Sequence, residues 1–145
     1  MIGLRTFYQI SADIVRTSSA ALVTTGLTSP VAASQTQHIR AWIPITVGAT
    51  GGVRAQVVVP AGGTLFEVTI KLFNTVAPSL TTAIQNASAA FTNALANAGS
   101  HWLEIEGYVL NGLTAGNIDI QMGQNTSDAL SLTILKGGYM DVSRY

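Results

Sequence analysis

Two histidines and two glutamates are the residues whose types could support metal binding or acid–base chemistry. Histidine nitrogens and carboxylate oxygens are common zinc ligands, and two carboxylates on one strand face could serve as general acid and general base. Glu104 and Glu106 share such a face, whereas His38 and His101 share no strand face with a nearby histidine or carboxylate. We therefore expect a solvated or inter-subunit salt-bridged face here, with no metal and no catalytic residues.

The other residue types that carry chemistry are also poorly arranged for it. No serine or threonine lies in the G-x-S-x-G pattern of a nucleophile elbow. The pairs Gly51-Gly52 and Gly62-Gly63 lack phosphate-loop spacing and indicate turns, and Asp119 and Asp128 are too sparse for a calcium loop. We expect a protein that is not an enzyme and has no cofactor.

The charge content of the chain is low. Of its 145 residues, 10% are charged, with seven basic residues against seven acidic ones, whereas soluble domains carry about 25%. No basic stripe is present to bind a phosphate backbone, so we expect no nucleic-acid partner. There are no cysteines, which excludes disulfides and thiolate metal sites.

The chain is hydrophobic as well as low in charge, and two classes of protein have this composition. With 48% hydrophobic residues and a mean hydropathy of +0.38, the chain is either a membrane protein or a subunit that buries surface against copies of itself. Its apolar runs fall short of the roughly 20 residues that a spanning helix needs. We expect no membrane association and an obligate oligomer.

Alternation of apolar and polar residues predicts an all-β fold. Residues 37–47 place Ile39, Ala41, Ile43 and Ile45 on one face and Trp42 on the other. Pro44 lacks a ladder donor, which predicts an edge strand or a bulge there. Short strands separated by glycine-rich turns favour a jelly-roll β-sandwich of about eight antiparallel strands with an N-terminal arm. Further strands are predicted at residues 53–59, 64–73, 102–110, 117–122, 130–135 and 139–145.

Two segments leave alternatives open. In residues 78–99, apolar side chains recur at spacings of three and four, which is typical of a helix, but the many Thr, Asn and Ser residues equally favour a strand and loop. Residues 1–18 form the predicted arm, and residues 19–145 the jelly-roll domain. The arm either docks on a neighbouring subunit or is an ordinary edge strand.

An ordered series of short motifs resembles the jelly-roll domains of tailed-phage virion proteins. In the last third these motifs are IEGY at 105–108, TAGNIDIQ at 114–121, GQNTSD at 123–128 and ILKGGYMDV at 134–142. Earlier ones are GL at 26–27, PVAA at 30–33, IRAWIP at 39–44 and TGGVR at 50–54. The chain departs from the pattern at Gly138, where serine is usual, in residues 81–98, which match nothing in it, and in residues 1–16, which lie outside it.

This resemblance implies a homotrimer found as a capsid decoration (cement) protein or in head or tail fibres. We expect a virion protein on the capsid surface that binds the major capsid protein and stabilises the shell. The alternative is a head or tail fibre or spike module that binds a receptor or glycan. The residues that we expect at interfaces are Ile2, Leu4, Phe7, Tyr8, Ile10, Trp42, Trp102, Tyr139 and Tyr145.

Overall fold

The computed structural model describes residues 4–48, 50–76, 79–85, 90–93 and 98–145. These residues form twelve β-strands in two antiparallel sheets, which confirms the predicted all-β sandwich. The described residues contain no helix long and apolar enough to cross a membrane. The strands are β1 (Arg5–Gln9), β2 (Ile14–Arg16), β3 (Val23–Val31), β4 (Thr36–Val47), β5 (Val53–Val58), β6 (Thr64–Asn74), β7 (Ser79–Gln85), β8 (Phe91–Asn93), β9 (Gly99–Leu110), β10 (Gly116–Gly123), β11 (Leu132–Ile134) and β12 (Tyr139–Arg144).

The strand order is that of a jelly roll with one inserted hairpin. β1 and β2 form one interrupted strand, which pairs with the interrupted strand β11–β12. The larger sheet then has the order β1-β12-β4-β9-β6-β7, and the smaller sheet has β3-β10-β5-β8. Eight strands remain when β1–β2 and β11–β12 are each counted as one strand and the β6–β7 hairpin is left out. In chain order, the larger sheet contains the first, eighth, third and sixth of these strands, and the smaller sheet contains the second, seventh, fourth and fifth. This is the arrangement of two Greek keys.

The core lies between the two sheets, where alternate side chains of each strand meet. On β4 the predicted inner face is confirmed, because Ile39, Ala41, Ile43 and Ile45 are fully buried. Ile118 and its inward neighbours on β10 close the core from the smaller sheet. Each such large aliphatic side chain contributes about 1.5–3 kcal/mol through burial.

Of the two alternatives predicted from Pro44, the edge strand is wrong, because β4 lies inside the larger sheet, between β9 on one side and β11 and β12 on the other. The bulge alternative describes the structure better, but the bulge lies in the segment that joins β11 to β12 rather than in β4. The pairing with β4 passes from Ile134↔Ile45 to Tyr139↔Trp42, so residues 135–138 bulge beside Pro44. Pro44 accepts a hydrogen bond from the backbone of Leu135 on that side, so its missing donor faces the bulge rather than β9.

Of the two alternatives for residues 78–99, the described residues have the strands. β7 and β8 replace the helix at 79–85 and 91–93, and the intervening residues 86–89 and 94–97 lie outside the described ones. Leu80 and Ile84, which suggested a helical face, are both exposed in β7, whereas Phe91 is buried. The threonines of β7 suit a strand because β-branched side chains fit a pleated surface.

The N-terminal segment is part of the larger sheet in this structure. Arg5–Gln9 pairs with Tyr139–Ser143, which makes β1 an edge strand of the chain's own sandwich. Tyr8 packs against the core, and Ile10 is buried. The division of the chain at residue 18 stays a prediction.

A bulge in β6 interrupts its pairing with β9. The register with β9 shifts between Phe66 and Thr69, and Glu67 has a φ of 52°, a left-handed value unusual for a residue with a side chain. Gly107 lies opposite. A Cβ there would come within 2.5 Å of the Cα of Val68, so only glycine lets the two backbones approach this closely.

One buried amide holds the loop between β10 and β11. Gln124 is fully buried, and its side-chain oxygen accepts hydrogen bonds from the backbone of Ser19 at 3.1 Å and Asp128 at 3.3 Å. Its nitrogen donates to the carbonyl oxygens of Asp128 at 3.1 Å and Leu130 at 2.6 Å. The GQNTSD motif of the sequence thus contains a residue whose role is to satisfy backbone groups that the sheets do not pair.

Replacing Gln124 with methionine should destabilise the domain. Methionine keeps the volume but leaves four backbone groups without their partner, at a cost of about 2–4 kcal/mol in the free energy of unfolding. The matched control is Gln121→Met on β10, which removes a single hydrogen bond to Asp119 at a part-exposed site and should cost less than about 1 kcal/mol. Urea unfolding measures both, and equal losses would contradict this role for Gln124.

Candidate functional site: the outer face of the larger sheet

The outer surface of the larger sheet carries most of the chain's large aromatic side chains. Strand alternation places them opposite the core residues: Trp42 follows buried Ala41, and Trp102 precedes buried Leu103. We call this surface the aromatic face. It consists of Phe7, Trp42, Phe73, Leu80, Trp102 and Tyr139.

The rings of the aromatic face form a stripe across five strands, and Leu80 extends it to a sixth. Phe7 stacks on Tyr139 with ring centroids 5.1 Å apart, and Tyr139 pairs with Trp42 across β12 and β4. The Trp42 ring lies 5.7 Å from both Trp102 and Phe73, and Phe73 pairs with Leu80 on β7. Such ring pairs contribute about 0.5–1.5 kcal/mol beyond area burial, so the stripe is a preformed, rigid surface.

The charges within this face neutralise one another. Glu104 lies between Arg40 and Lys71 on the flanking strands, with N–O distances of 3.4 Å and 3.7 Å. At one edge of the sheet the Arg5 guanidinium donates a hydrogen bond to the Asp141 carboxylate, and this hydrogen bond raises the pKa of Arg5. Sequence reasoning expected a solvated or inter-subunit salt-bridged face, and these pairs form within one chain. The face is therefore aromatic with locally compensated charge.

A shallow depression of about 450 Å³ adjoins the stripe. His38 Nε2 lies 3.5 Å from Glu106 Oε1, and its ring centroid lies 4.9 Å from that of Tyr108. Glu67, displaced by the bulge, and Ile84 complete the rim. The face of β4 itself carries no carboxylate near His38, as expected from the sequence, but the pairing of β4 with β9 brings Glu106 beside it. His101 is buried on the opposite, inner face.

The outer face of the smaller sheet differs in character. Its central residue is Asp119, which accepts hydrogen bonds from Thr24 at 2.6 Å, Thr28 at 2.9 Å and Gln121 at 3.0 Å. Arg54 and Gln56 continue this polar surface on β5. One outer face of the sandwich is therefore polar and the other aromatic, an asymmetry expected of a domain with one solvated side and one side that packs on a partner.

The residues predicted at interfaces do not all lie together. Phe7, Trp42, Trp102 and Tyr139 meet in the aromatic face, whereas Leu4 and Tyr145 are exposed near the chain termini.

Two of the predicted interface residues contribute to the chain's own packing instead. Ile10 is 3% exposed, and Tyr8 is part-buried against the core, where its hydroxyl accepts a hydrogen bond from Arg144 at 3.3 Å. Ile2 lies outside the described residues.

Sequence reasoning missed Phe73, Leu80 and Ile84 as surface residues. Phe73 fell at the end of a predicted strand, and the helical spacing of Leu80 and Ile84 drew attention to a helix face instead. The signal that could have found them is the absence of any Asp, Glu, Lys or Arg between Lys71 and Glu104. A charge-free stretch of this length is unusual for a solvent-exposed hairpin.

Comparisons with known proteins support no family assignment. No protein-family model matches the chain, and no curated protein sequence matches it. Among solved structures, infectious bursal disease virus Gx strain aligns with a TM-score of 0.34 and 11% identity over 97% of this chain and 33% of that chain. The VP2 subviral particle of the same virus aligns with a TM-score of 0.27 and 12% identity over 97% of this chain and 40% of that one. This chain thus spans less than half of those proteins, and likeness at this level carries no argument about function.

Trp102 and Leu103 are adjacent in β9 but point to opposite sides of the sheet. Replacing each in turn separates a role of the aromatic face in association from the contribution of the core to stability. We expect Trp102→Ala to weaken self-association or docking while changing the free energy of unfolding by less than about 1.5 kcal/mol, because the side chain is 37% exposed. Leu103→Ala, which removes a fully buried side chain, should cost about 2–5 kcal/mol. Urea unfolding and sedimentation of the two variants check both expectations. Unchanged association in Trp102→Ala would contradict a binding role for this face.

Proposed function

We propose that this chain is a non-enzymatic structural protein of a virus particle, and specifically a homotrimeric capsid decoration protein of a tailed phage. The observation that carries the proposal is the asymmetry of the sandwich, which has one polar outer face and one aromatic, charge-compensated outer face. The motif resemblance supports the phage and trimer assignments. The low charge content supports an assembled subunit.

The aromatic face suits protein–protein contact for a physical reason. Trp and Tyr are enriched where interfaces are most strongly stabilised, since large rigid rings bury area at little cost in side-chain entropy. Each square ångström of apolar surface removed from water contributes about 25 cal/mol. A contact of modest size therefore adds substantial stability when it recurs over a whole shell.

The exposed residues of the N-terminal segment supply the proposed contact with the major capsid protein. Leu4 and Phe7 are 65% and 63% exposed, and they lie on or beside β1, at one edge of the larger sheet. In the proposed decoration protein, the part of the aromatic face from Tyr139 to Leu80 packs between copies, and the β1 edge with Leu4 and Phe7 meets the shell. The free energy of the closed shell then falls as each copy bridges neighbouring capsid subunits.

A fibre or spike module that binds a glycan is the second candidate, and one observation favours it. The depression beside Tyr108 combines an aromatic ring with the polar groups of His38 and Glu106, the combination by which proteins orient a small polar ligand. In this alternative the aromatic side chains remain exposed at the tip of a fibre rather than packed between copies.

Immunogold labelling of the intact particle with an antibody to this chain distinguishes the two candidates. A decoration protein should give label over the whole icosahedral shell. The matched comparison is a particle assembled with a Leu4→Ser, Phe7→Ser chain, in which the shell label should fall because the exposed apolar contact is removed. Label confined to a single vertex or to the tail would overturn the decoration role and favour the fibre module.

A further inference from the structure

Strand β7 is a sheet edge that lacks the features by which the other edges avoid pairing. Edge strands present unpaired backbone groups to other chains, and proteins protect them with charge, proline or short length. At the other edges, β1 carries Arg5, β3 carries Pro30 and β8 has three residues. β7 has seven residues, Ser-Leu-Thr-Thr-Ala-Ile-Gln, with no charge and no proline. Among the described residues it pairs with β6 alone.

The side chains of β7 are also unusually exposed. Leu80 and Ile84 point to the outer side of the sheet, because they pair with Phe73 and Thr69 of β6, and they are 55% and 69% exposed. Thr82 lies between them, also exposed. Two large aliphatic side chains on an uncharged edge strand are a recognised site for association with another strand.

The sequence of β7 is complementary to itself in an antiparallel arrangement. All seven residues overlap only when the two-fold axis passes at Thr82, and this register places Leu80 opposite Ile84 of the second copy and Thr82 opposite its equivalent. The remaining pairs are Thr81 with Ala83 and Ser79 with Gln85. Aliphatic and Thr–Thr cross-strand pairs are favourable, and no like charges meet. A slip by one residue would move Leu80 and Ile84 of the second copy to the wrong face.

We propose that β7 joins two copies of this chain by antiparallel strand pairing about a two-fold axis at Thr82. The two larger sheets then become one continuous sheet, and the two aromatic faces become one surface, because Leu80 continues the stripe from Phe73. The contact goes beyond the proposed decoration role. In a trimeric protein it would link one trimer to the next, and it forms equally in a protein of another function.

Opposite charges at Thr82 test the register as well as the contact. We expect Thr82→Lys and Thr82→Glu each to weaken the two-fold association at least about fivefold, because like charges oppose each other across the axis. An equimolar mixture should recover the association to within about threefold of the unchanged chain, because lysine then faces glutamate. The matched control is Asn117→Lys, an exposed strand residue on the smaller sheet, which should associate as the unchanged chain does. Sedimentation velocity measures association, and circular dichroism checks that each variant is folded.

Disulfide trapping gives a second readout that does not depend on the total size of the oligomer. The chain has no cysteine, so Thr82→Cys introduces a single thiol, which the two-fold axis would place beside its equivalent within the usual Cα separation of a disulfide. Mild oxidation should give a covalent dimer for Thr82→Cys and none for Asn117→Cys. The proposal is overturned if Thr82→Cys fails to cross-link, or if mixing the lysine and glutamate variants restores nothing.

Discussion

The pairing of β4 with β9 is the constraint on which the rest of the molecule depends. It runs without a break from Thr36↔Leu110 to Val47↔Gly99 and forms the centre of the larger sheet. Because side chains alternate with a period of two, this pairing fixes which residues enter the core and which face outward. A slip by one residue would exchange fully buried Ile43 for Trp42, so the core and the aromatic face are determined together.

The same register determines the electrostatics of the outer face. Glu104 reaches Arg40 on one neighbouring strand and Lys71 on the other because all three residues lie in adjacent positions on the outer side. Charges compensated in this way leave a surface on which apolar area, rather than charge repulsion, would govern the proposed association. The ring stripe and the uncharged β7 edge then lie on one continuous side of the molecule. The polar network around Asp119 covers the other side.

Local patterns in the sequence were sufficient for the fold class and for several strands. The alternation in residues 37–47 identified the inner face of β4 and the outward position of Trp42, because strand periodicity is a property of neighbouring residues.

The same local reasoning did not identify the partners of each strand. The proximity of His38 to Glu106, and of Trp42 to Phe73, requires the pairing of segments far apart in the chain. The spacing of Leu80 and Ile84 suits a helix as well as a strand, and only tertiary pairing with β6 decided between them. Pro44 predicted an edge strand or a bulge, and the structure has a bulge in the neighbouring segment that accommodates the proline inside the sheet.

We propose that the aromatic face is buried when the protein assembles, and tryptophan fluorescence can measure this burial. The chain contains two tryptophans, and both belong to this face, so their emission reports on no other part of the molecule. Emission should shift to shorter wavelength, and quenching by acrylamide should fall, when dilute protein is concentrated or bound to the particle. Emission and quenching that stay the same in the dissociated and the assembled protein would contradict this burial.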